Sequence, residues 1–163
     1  IEGLRDLGPS LSPYNAFQII QGLETLPIRI QKHSENALAL AQWLEQHPAV
    51  ASVGYPGLPS SPYHELAQKY LPNGQSGVVT FSLKKGYEAA KKVVGNTKLF
   101  ALLANIGDTN SLIIHPASTP HEQLSTEEQA LVGVTPELIR LSVGLENIED
   151  LKQDLQNAFN TIG

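Results

Sequence analysis

The feature that most constrains the fold is the stretch from residue 138 to residue 146, in which aliphatic residues occupy every second position. Successive side chains of a β-strand point to opposite faces, so this spacing predicts a strand with one apolar face. That face contains Ile139, Leu141, Val143 and Leu145. An apolar strand face has to be covered, and this predicts a sheet against which helices pack.

The opposite face of the same stretch contains Arg140, Ser142 and Gly144. The neighbours of Arg140 on this face are small, so nothing bulky on its own strand covers the guanidinium. A planar guanidinium can bind a carboxylate or a phosphate through two parallel hydrogen bonds. The alternative is an arginine that extends into water and binds nothing, and from the pattern alone this is the more frequent case.

Other segments alternate between helical and strand patterns. Helices are predicted after Ser12-Pro13, at 28–46, 63–70 and 87–94, and after Ser125 and Asn147. Strands are predicted at 50–53, 78–83, 99–106, 112–115 and 138–146. Pro27 should separate the first two helices, since proline cannot continue a helix without a break or a kink. Ser125 and Glu128 have the spacing of a capping box.

These elements predict an α+β fold with a mostly antiparallel sheet of about four strands and helices packed on one face. We expect the other face to be turned toward a missing domain. Residues 1–46 are interpreted as a helical lead-in that bridges to that domain, and residues 47–163 as a small α/β domain.

Composition narrows the class of protein. A net charge of −5 and a pI near 5.5 argue against nucleic acid and against an anionic membrane as partners. The absence of cysteine excludes disulfides, thiolate metal sites and a cysteine nucleophile, and it is compatible with a reducing compartment such as the cytoplasm. The chain begins at Ile1 and contains no methionine, so we expect a piece of a larger polypeptide.

Several kinds of catalytic site are disfavoured by spacing. The stretch 74–77 lacks the G-x-S-x-G pattern of a nucleophile elbow. The five histidines never occur at i,i+4 on one helix, which gives a metal site a low prior. None of the eight lysines lies in a setting that predicts a shielded, reactive amine.

Six stretches together carry a resemblance to a known family: residues 7–17, 22–26, 33–37, 70–74, 106–119 and 139–146. The two most informative read Ile106-Gly-Asp-Thr-Asn-Ser-Leu-Ile-Ile-His-Pro-Ala-Ser-Thr119 and Ile139-Arg-Leu-Ser-Val-Gly-Leu-Glu146. In this order and at these distances they resemble the Cys/Met-metabolism family of pyridoxal-phosphate enzymes, and within it the O-acetylhomoserine sulfhydrylase branch.

The resemblance implies that the chain is the C-terminal small domain of a fold-type I transferase whose cofactor is pyridoxal 5'-phosphate. The lysine that binds the cofactor covalently is then expected in the missing N-terminal domain, so no catalytic residue is assigned within this chain. We therefore expect the chain alone neither to bind the cofactor covalently nor to turn over substrate. Relatives imply a homo-oligomer, a tetramer, for the full-length protein.

Three site residues follow from the resemblance. Arg140 matches the arginine that binds the α-carboxylate of the amino-acid substrate, and Ser111 matches a serine that helps to hold the same carboxylate. Asn110 matches a position where many relatives have lysine or arginine, and its role stays open. Pro120 also departs from the family pattern, in which threonine usually precedes the histidine.

The implied reaction replaces the acetyl group of O-acetylhomoserine by sulfide or a thiol and gives homocysteine or methionine. Within the family, cystathionine γ-synthase and methionine γ-lyase are the alternatives. Outside it, the alternative is a stand-alone α+β module for assembly or ligand sensing that has no chemistry of its own.

Overall fold

A computed structural model describes residues 2–8 and 10–163 of the chain. The helices within these residues are α1 Glu2–Leu7, α2 Pro13–Glu24, α3 Leu26–Glu45, α4 His64–Tyr70, α5 Gly86–Val94, α6 Thr126–Leu131 and α7 Ile148–Asn160. The strands are β1 Val50–Gly54, β2 Val78–Leu83, β3 Ala101–Leu102, β4 Leu112–Ile114 and β5 Leu138–Ser142. A 3-10 turn covers Pro116–Ser118.

One sheet contains the strands in the order β1-β2-β5-β4-β3. All neighbouring pairs are antiparallel except β3 and β4, which are parallel. The predicted α+β fold with a mostly antiparallel sheet is confirmed, although the sheet has five strands where about four were expected. The described helices include none that is long and apolar enough to cross a membrane.

The core lies between the sheet and the helices α3, α5 and α7. Buried side chains of the sheet come from alternating positions of β2 and β5, namely Val79, Phe81, Leu83, Ile139 and Leu141. The buried leucines that face them from the helices are Leu40 and Leu44 of α3 and Leu151 and Leu155 of α7. The predicted apolar face of 138–146 is thereby confirmed through Val143. Leu145 is only half-buried because pairing of β5 ends at Ser142.

Strand β3 is much shorter than the predicted strand 99–106. The carboxylate of Asp154 on α7 accepts hydrogen bonds from three successive backbone amides, those of Lys98, Leu99 and Phe100, at 2.9 to 3.2 Å. Backbone donors that bind a side chain cannot take part in a strand ladder. The chain therefore joins the sheet only at Ala101.

Helix boundaries follow the predicted caps. The Ser12 hydroxyl accepts a hydrogen bond from the Asn15 amide at 3.2 Å, and Ser125 and Glu128 form the predicted capping box. Pro27 lies in the first turn of α3, where proline is tolerated, so α2 ends before it. The second half of α3 contributes to the core, whereas α2 buries none of its residues.

Candidate functional site

Arg140 lies in the middle of β5, directly opposite Thr80 of β2 and Ile114 of β4. Opposed residues of antiparallel strands project to the same face, so these three side chains form one row across the sheet on the side away from α3, α5 and α7. The Thr80 hydroxyl is bound to the Gly54 carbonyl at 3.3 Å. Arg140 is thus a half-buried cation between a hydroxyl that is already bound and an aliphatic side chain.

The guanidinium of Arg140 has almost no protein partner. Within residues 2–8 and 10–163, its one hydrogen bond runs from Nη2 to the carbonyl oxygen of Asn105 at 3.4 Å, and no carboxylate lies within ion-pair distance. The other two arginines differ. Arg5 is paired with Asp6 at 2.7 Å, and Arg29 donates to the Thr25 hydroxyl and to the Gly22 carbonyl. Arg140 therefore retains most of its five donors for an external anion.

A loop from residue 103 to residue 111 reaches over the face that contains Arg140. The backbone N–H of Gly107 donates to the Ser142 hydroxyl at 3.3 Å, and Ser142 is only 3% exposed. The sequence indicated that no bulky neighbour on its own strand would cover Arg140. The chain's own loop nevertheless covers part of this face, with Arg140 next to Asn105 at the loop's edge.

Ser111 is the last residue of this loop, and among the described residues no hydrogen bond joins it to Arg140. It is fully buried; its hydroxyl donates to Glu146 Oε2 at 2.8 Å and accepts from the Gly144 N–H at 2.8 Å. Its own N–H donates to Glu146 Oε1 at 2.6 Å. Every polar group of Ser111 is already bound, since its carbonyl oxygen accepts a hydrogen bond from the Ala101 N–H at 3.0 Å. Direct contact of Ser111 with a substrate stays a prediction, and this geometry favours a role in holding the loop.

Asn110 is exposed, and the structure does not bring it to the guanidinium of Arg140. Its N–H and its side-chain amide both turn back to Asp108 Oδ1, at 3.0 and 3.4 Å. This closes a short turn of the kind that aspartate favours. Asn110 therefore shapes the tip of the loop, and its contact with a substrate also stays a prediction.

Gly144 explains why the loop can approach so closely. A Cβ at this position would meet the Thr109 carbonyl oxygen at 2.5 Å and the Asn110 carbonyl carbon at 2.6 Å. Backbone atoms cannot yield as a flexible side chain can, so only glycine fits here. The sequence analysis treated Gly144 only as a small neighbour of Arg140. In the structure it allows the loop to pack closely against the backbone that follows β5.

Two hollows lie near these elements and neither competes with Arg140 as an anion site. A groove of about 720 Å³ runs between α3 and the turn at 72–75 and contains no cationic residue in its lining. A small cavity of about 100 Å³ lies beneath the loop, lined in part by His33, Gly107 and Ser142. His33 Nδ1 is 2.6 Å from the Val143 carbonyl, and its buried Nε2 has no partner among the described residues.

His115 is a structural residue in this arrangement. It is 1% exposed; one ring nitrogen contacts the Ser118 hydroxyl and the other the Pro136 carbonyl, both at 2.7 Å. Burial lowers the pKa of His115 below its usual value, partly opposed by the bond to Pro136. The neutral ring therefore orders the segment after β4.

The lysines of the chain do not provide a cofactor site by themselves. A lysine that binds an aldehyde cofactor covalently needs a shielded, depressed-pKa amine. Six of the eight lysines are exposed and the other two, Lys32 and Lys152, are half-buried. The residues that the structure describes thus do not fit pyridoxal phosphate as a covalently held group.

Comparison with known proteins assigns the chain to a family. The family model described as Cys/Met metabolism PLP-dependent enzyme matches residues 2–160. The chain belongs to this family. The resemblance read from the two motif stretches is thereby confirmed, and the Cys/Met-metabolism family is one of pyridoxal-phosphate-dependent enzymes.

Two bacterial relatives of the chain are O-acetyl-L-homoserine sulfhydrylases. The chain is 55% identical over 159 residues to O-acetyl-L-homoserine sulfhydrylase 1 of Thermus thermophilus, covering 98% of this chain and 38% of the relative. It is 53% identical over 163 residues to O-acetyl-L-homoserine sulfhydrylase of Leptospira meyeri, covering 99% and 37%. The chain thus spans little more than a third of the length of the curated relatives it matches.

A solved structure of the family confirms the fold. The crystal structure of an O-acetylhomoserine (thiol)-lyase from Campylobacter jejuni matches with a TM-score of 0.87 and 52% identity, covering 96% of this chain and 37% of that one. That protein contains a pyridoxyl-lysine monophosphate at position 205 of its own chain.

Sequence reasoning missed two residues of the site. Glu146 closes the stretch that contains Arg140, but its bond to Ser111 joins positions 35 residues apart, which no local pattern reveals. Asn105 reaches Arg140 through its backbone carbonyl, and a backbone contact leaves no mark on residue type. The available signal was the concentration of polar residues in 105–111 just before a buried strand.

Proposed function

We propose that the chain is the C-terminal small domain of a pyridoxal-phosphate-dependent O-acetylhomoserine sulfhydrylase, in which it binds the substrate carboxylate. The reaction replaces acetate at Cγ of O-acetyl-L-homoserine by sulfide or a thiol and gives homocysteine or methionine. Such an enzyme would act in methionine biosynthesis in the cytoplasm. Similarity to sulfhydrylases from two bacteria over nearly the whole chain supports the choice of reaction.

The single observation that carries the proposal is the unpaired state of Arg140. The half-buried guanidinium of Arg140 has one 3.4 Å contact and no ion-pair partner among the described residues, so its remaining donors can bind an external anion. The two oxygens of an α-carboxylate match the fork of a guanidinium, and both bonds would be charge-assisted. Holding the carboxylate end fixes the distance from Arg140 to the Cα and Cγ atoms of the substrate.

The cofactor would be held by a part of the enzyme outside this chain. Pyridoxal phosphate, when bound there, supplies the electron sink for chemistry at Cα. The described residues bind and orient the substrate and shield its carboxylate from water. No reacting group is assigned to them, which agrees with the proposal that the chain alone is inactive.

The surface of α2 and of the start of α3 supports the proposed division into a lead-in, 1–46, and a small domain, 47–163. Exposed fractions of 52 to 72% are found for Phe17, Ile19, Ile20, Leu23 and Ile28. A continuous apolar surface of this kind is typical of a contact with another domain or subunit. We propose that the N-terminal cofactor domain covers it and that the full-length enzyme is a homo-oligomer, with the tetramer of its relatives as the expected size.

Two alternatives keep the same fold. A cystathionine γ-synthase or a methionine γ-lyase would use Arg140 in the same way, and product analysis with sulfide, cysteine or methionine as co-substrate separates them. A stand-alone assembly or ligand-sensing module would not turn over O-acetylhomoserine after an upstream cofactor domain is supplied, and this lack of turnover separates it from the enzyme.

The experiment is replacement of Arg140 in the intact enzyme. Loss of one partner of a desolvated, bidentate pair costs about 2–5 kcal/mol, so Arg140→Ala should lower kcat/KM for O-acetylhomoserine by about 30-fold to several thousand-fold. Arg140→Lys should recover part of the activity, because an ammonium supplies the charge without the fork.

The matched control is Lys92→Ala, which removes an equal charge from an exposed face of α5. Its kcat/KM should stay within about twofold of the unmodified enzyme, since surface positions away from a site have small effects. Equal kinetics for Arg140→Ala and Lys92→Ala would show that Arg140 does not bind the substrate.

A further inference from the structure

The carboxylate of Glu146, which follows β5, accepts two hydrogen bonds from Ser111, which precedes β4. We call this pair of hydrogen bonds the bracket. Glu146 Oε1 accepts from the Ser111 N–H and Glu146 Oε2 from the Ser111 hydroxyl, at 2.6 and 2.8 Å. The backbone around Glu146 is fixed in turn, because Asn36 Nδ2 donates to the carbonyls of Gly144 and Glu146 at 3.0 and 2.9 Å. One carboxylate thus joins the end of β5 to the start of β4.

The segment that Glu146 holds is the same one that reaches Arg140. The loop 105–111 is attached to β5 and its continuation at successive points. Asn105 contacts Arg140, Gly107 donates to Ser142, and the Thr109 carbonyl accepts from the Leu145 N–H at 2.9 Å. Ser111 completes the series through Glu146. The position of the loop over Arg140 is therefore set at its far end by one acidic side chain.

The acids of this region are engaged with the loop itself. Both oxygens of Glu146 are occupied by Ser111, and an oxygen of Asp108 is occupied by Asn110. Among the described residues neither acid forms an ion pair with Arg140. The effect of Glu146 on Arg140 therefore runs through the position of the covering loop.

We propose that Glu146 is a positioning residue for the Arg140 carboxylate site, acting through Ser111 on the loop 105–111. The inference rests on the proposed function, since it has an effect on binding only if Arg140 binds a carboxylate. It also reassigns Ser111: the serine contributes to carboxylate binding by transmitting the hold of Glu146 and not by touching the substrate.

The chain offers a matched control in Asp154. This buried carboxylate also holds a loop through backbone N–H groups, those of residues 98–100, but it does so from α7 on the helix-covered side of the sheet. Removing its charge disturbs a loop clamp of the same chemistry whose hydrogen bonds end at residue 100, before β3, and reach neither Arg140 nor the loop 105–111. Any effect shared by the two variants is structural, and any effect confined to Glu146 belongs to the site.

The experiment compares Glu146→Gln, Glu146→Asp, Asp154→Asn and Arg140→Ala in the intact enzyme. A glutamine leaves one of the two Ser111 donors without an acceptor, and an aspartate keeps the charge but is too short to reach both. Measured quantities are kcat, KM for O-acetylhomoserine, the thermal midpoint, and inhibition by two probes. The probes are L-homoserine and 3-aminopropan-1-ol, which has the same skeleton without the carboxylate.

We expect Glu146→Gln to raise KM and the inhibition constant of L-homoserine at least about fivefold, because loss of a supporting hydrogen bond loosens a binding site, while kcat changes less than about twofold. Inhibition by 3-aminopropan-1-ol should be unchanged. Glu146→Asp should fall between the unmodified enzyme and Glu146→Gln, which keeps the test valid if the glutamine variant does not fold. Asp154→Asn should lower the thermal midpoint and leave KM and both inhibition constants as they are.

Two kinds of failure can be told apart. If Arg140→Ala leaves KM and L-homoserine inhibition unchanged, the proposed function fails. If Arg140→Ala has its expected effect but Glu146→Gln behaves as Asp154→Asn does, or weakens both probes equally, the positioning role of Glu146 is overturned and the bracket is only structural.

Discussion

The two faces of the sheet differ in what their side chains touch. On the helix-covered face, Val79, Phe81, Ile139 and Leu141 are at most 1% exposed and pack among aliphatic and aromatic side chains of α3, α5 and α7. On the opposite face, the corresponding rows of β2 and β5 contain Val78, Thr80, Arg140 and Ser142, most of them half-buried. Adjacent residues of β5 thus lie in the apolar core on one face and in a polar site partly covered by a loop on the other.

Because of this difference, core packing and the charge of the candidate site can be altered separately, although both depend on residues of β5. The period of two places each neighbour on the other face, so a change at position 141 acts on packing and a change at position 140 acts on charge. The expected effects on the free energy of unfolding should therefore differ severalfold between adjacent positions. Three stability measurements on the chain test whether the two faces differ in this way.

The largest effect is expected for Leu141→Ala. Removing a fully buried leucine side chain leaves a cavity, and the free energy of unfolding should fall by about 2–5 kcal/mol. Urea denaturation followed by circular dichroism measures it. Leu145→Ala is the control, with the same atoms removed from a half-buried position past the end of β5. A loss for Leu141→Ala no larger than for Leu145→Ala would mean that the helix-covered face is not the main source of stability.

An intermediate effect is expected from acid, and it should arise on the helix-covered side. Burial lowers the pKa of both His47 and His115 from the usual 6.5, so the folded state binds fewer protons than the unfolded state below that pH. Their contribution to stability is complete above pH 6.5 and is lost as the pH falls toward their lowered folded-state values. Glu128, whose pKa the Ser125 capping bonds lower from 4.5, acts only in a more acidic window.

Urea midpoints at pH 7.5 and pH 5.5 measure the acid effect. The chain should be less stable at pH 5.5, and the difference should shrink in His115→Gln, which cannot take up a proton. An unchanged difference in that variant would show that His115 does not titrate with folding. Arg140→Ala should leave the difference as it is, since Arg140 stays charged throughout this range.

The same contrast marks how far the sequence could predict the molecule. Local signals were sufficient for the strand at 138–142, for the caps at Ser12, Ser125 and Asn147, and for the two-faced character of β5, because each depends on residues close in sequence. The family followed from motif order. These predictions agree with the structure since local preference and tertiary packing point the same way.

Features that depend on distant partners were not predictable. The strand predicted at 99–106 starts only at Ala101 because Asp154, more than 50 residues away, binds the backbone donors before it. Ser111 was assigned to the substrate because nothing in the sequence shows that Glu146 binds it. The loop that covers part of the Arg140 face was not expected, because a loop that folds back over a strand has no periodic signal in the sequence.

The smallest effect on folding, and the most direct test of the account, concerns Arg140 itself. If the guanidinium is held for a ligand and not for the fold, Arg140→Met, which keeps an apolar stem of similar reach to the aliphatic part of arginine, should change the free energy of unfolding of the chain by less than about 0.5 kcal/mol, and Arg140→Ala by less than about 1 kcal/mol. Urea denaturation of the three proteins under identical conditions supplies the values. A loss above about 2 kcal/mol in Arg140→Met would show that the charge itself stabilises the fold, and would contradict the assignment of Arg140 to a substrate carboxylate.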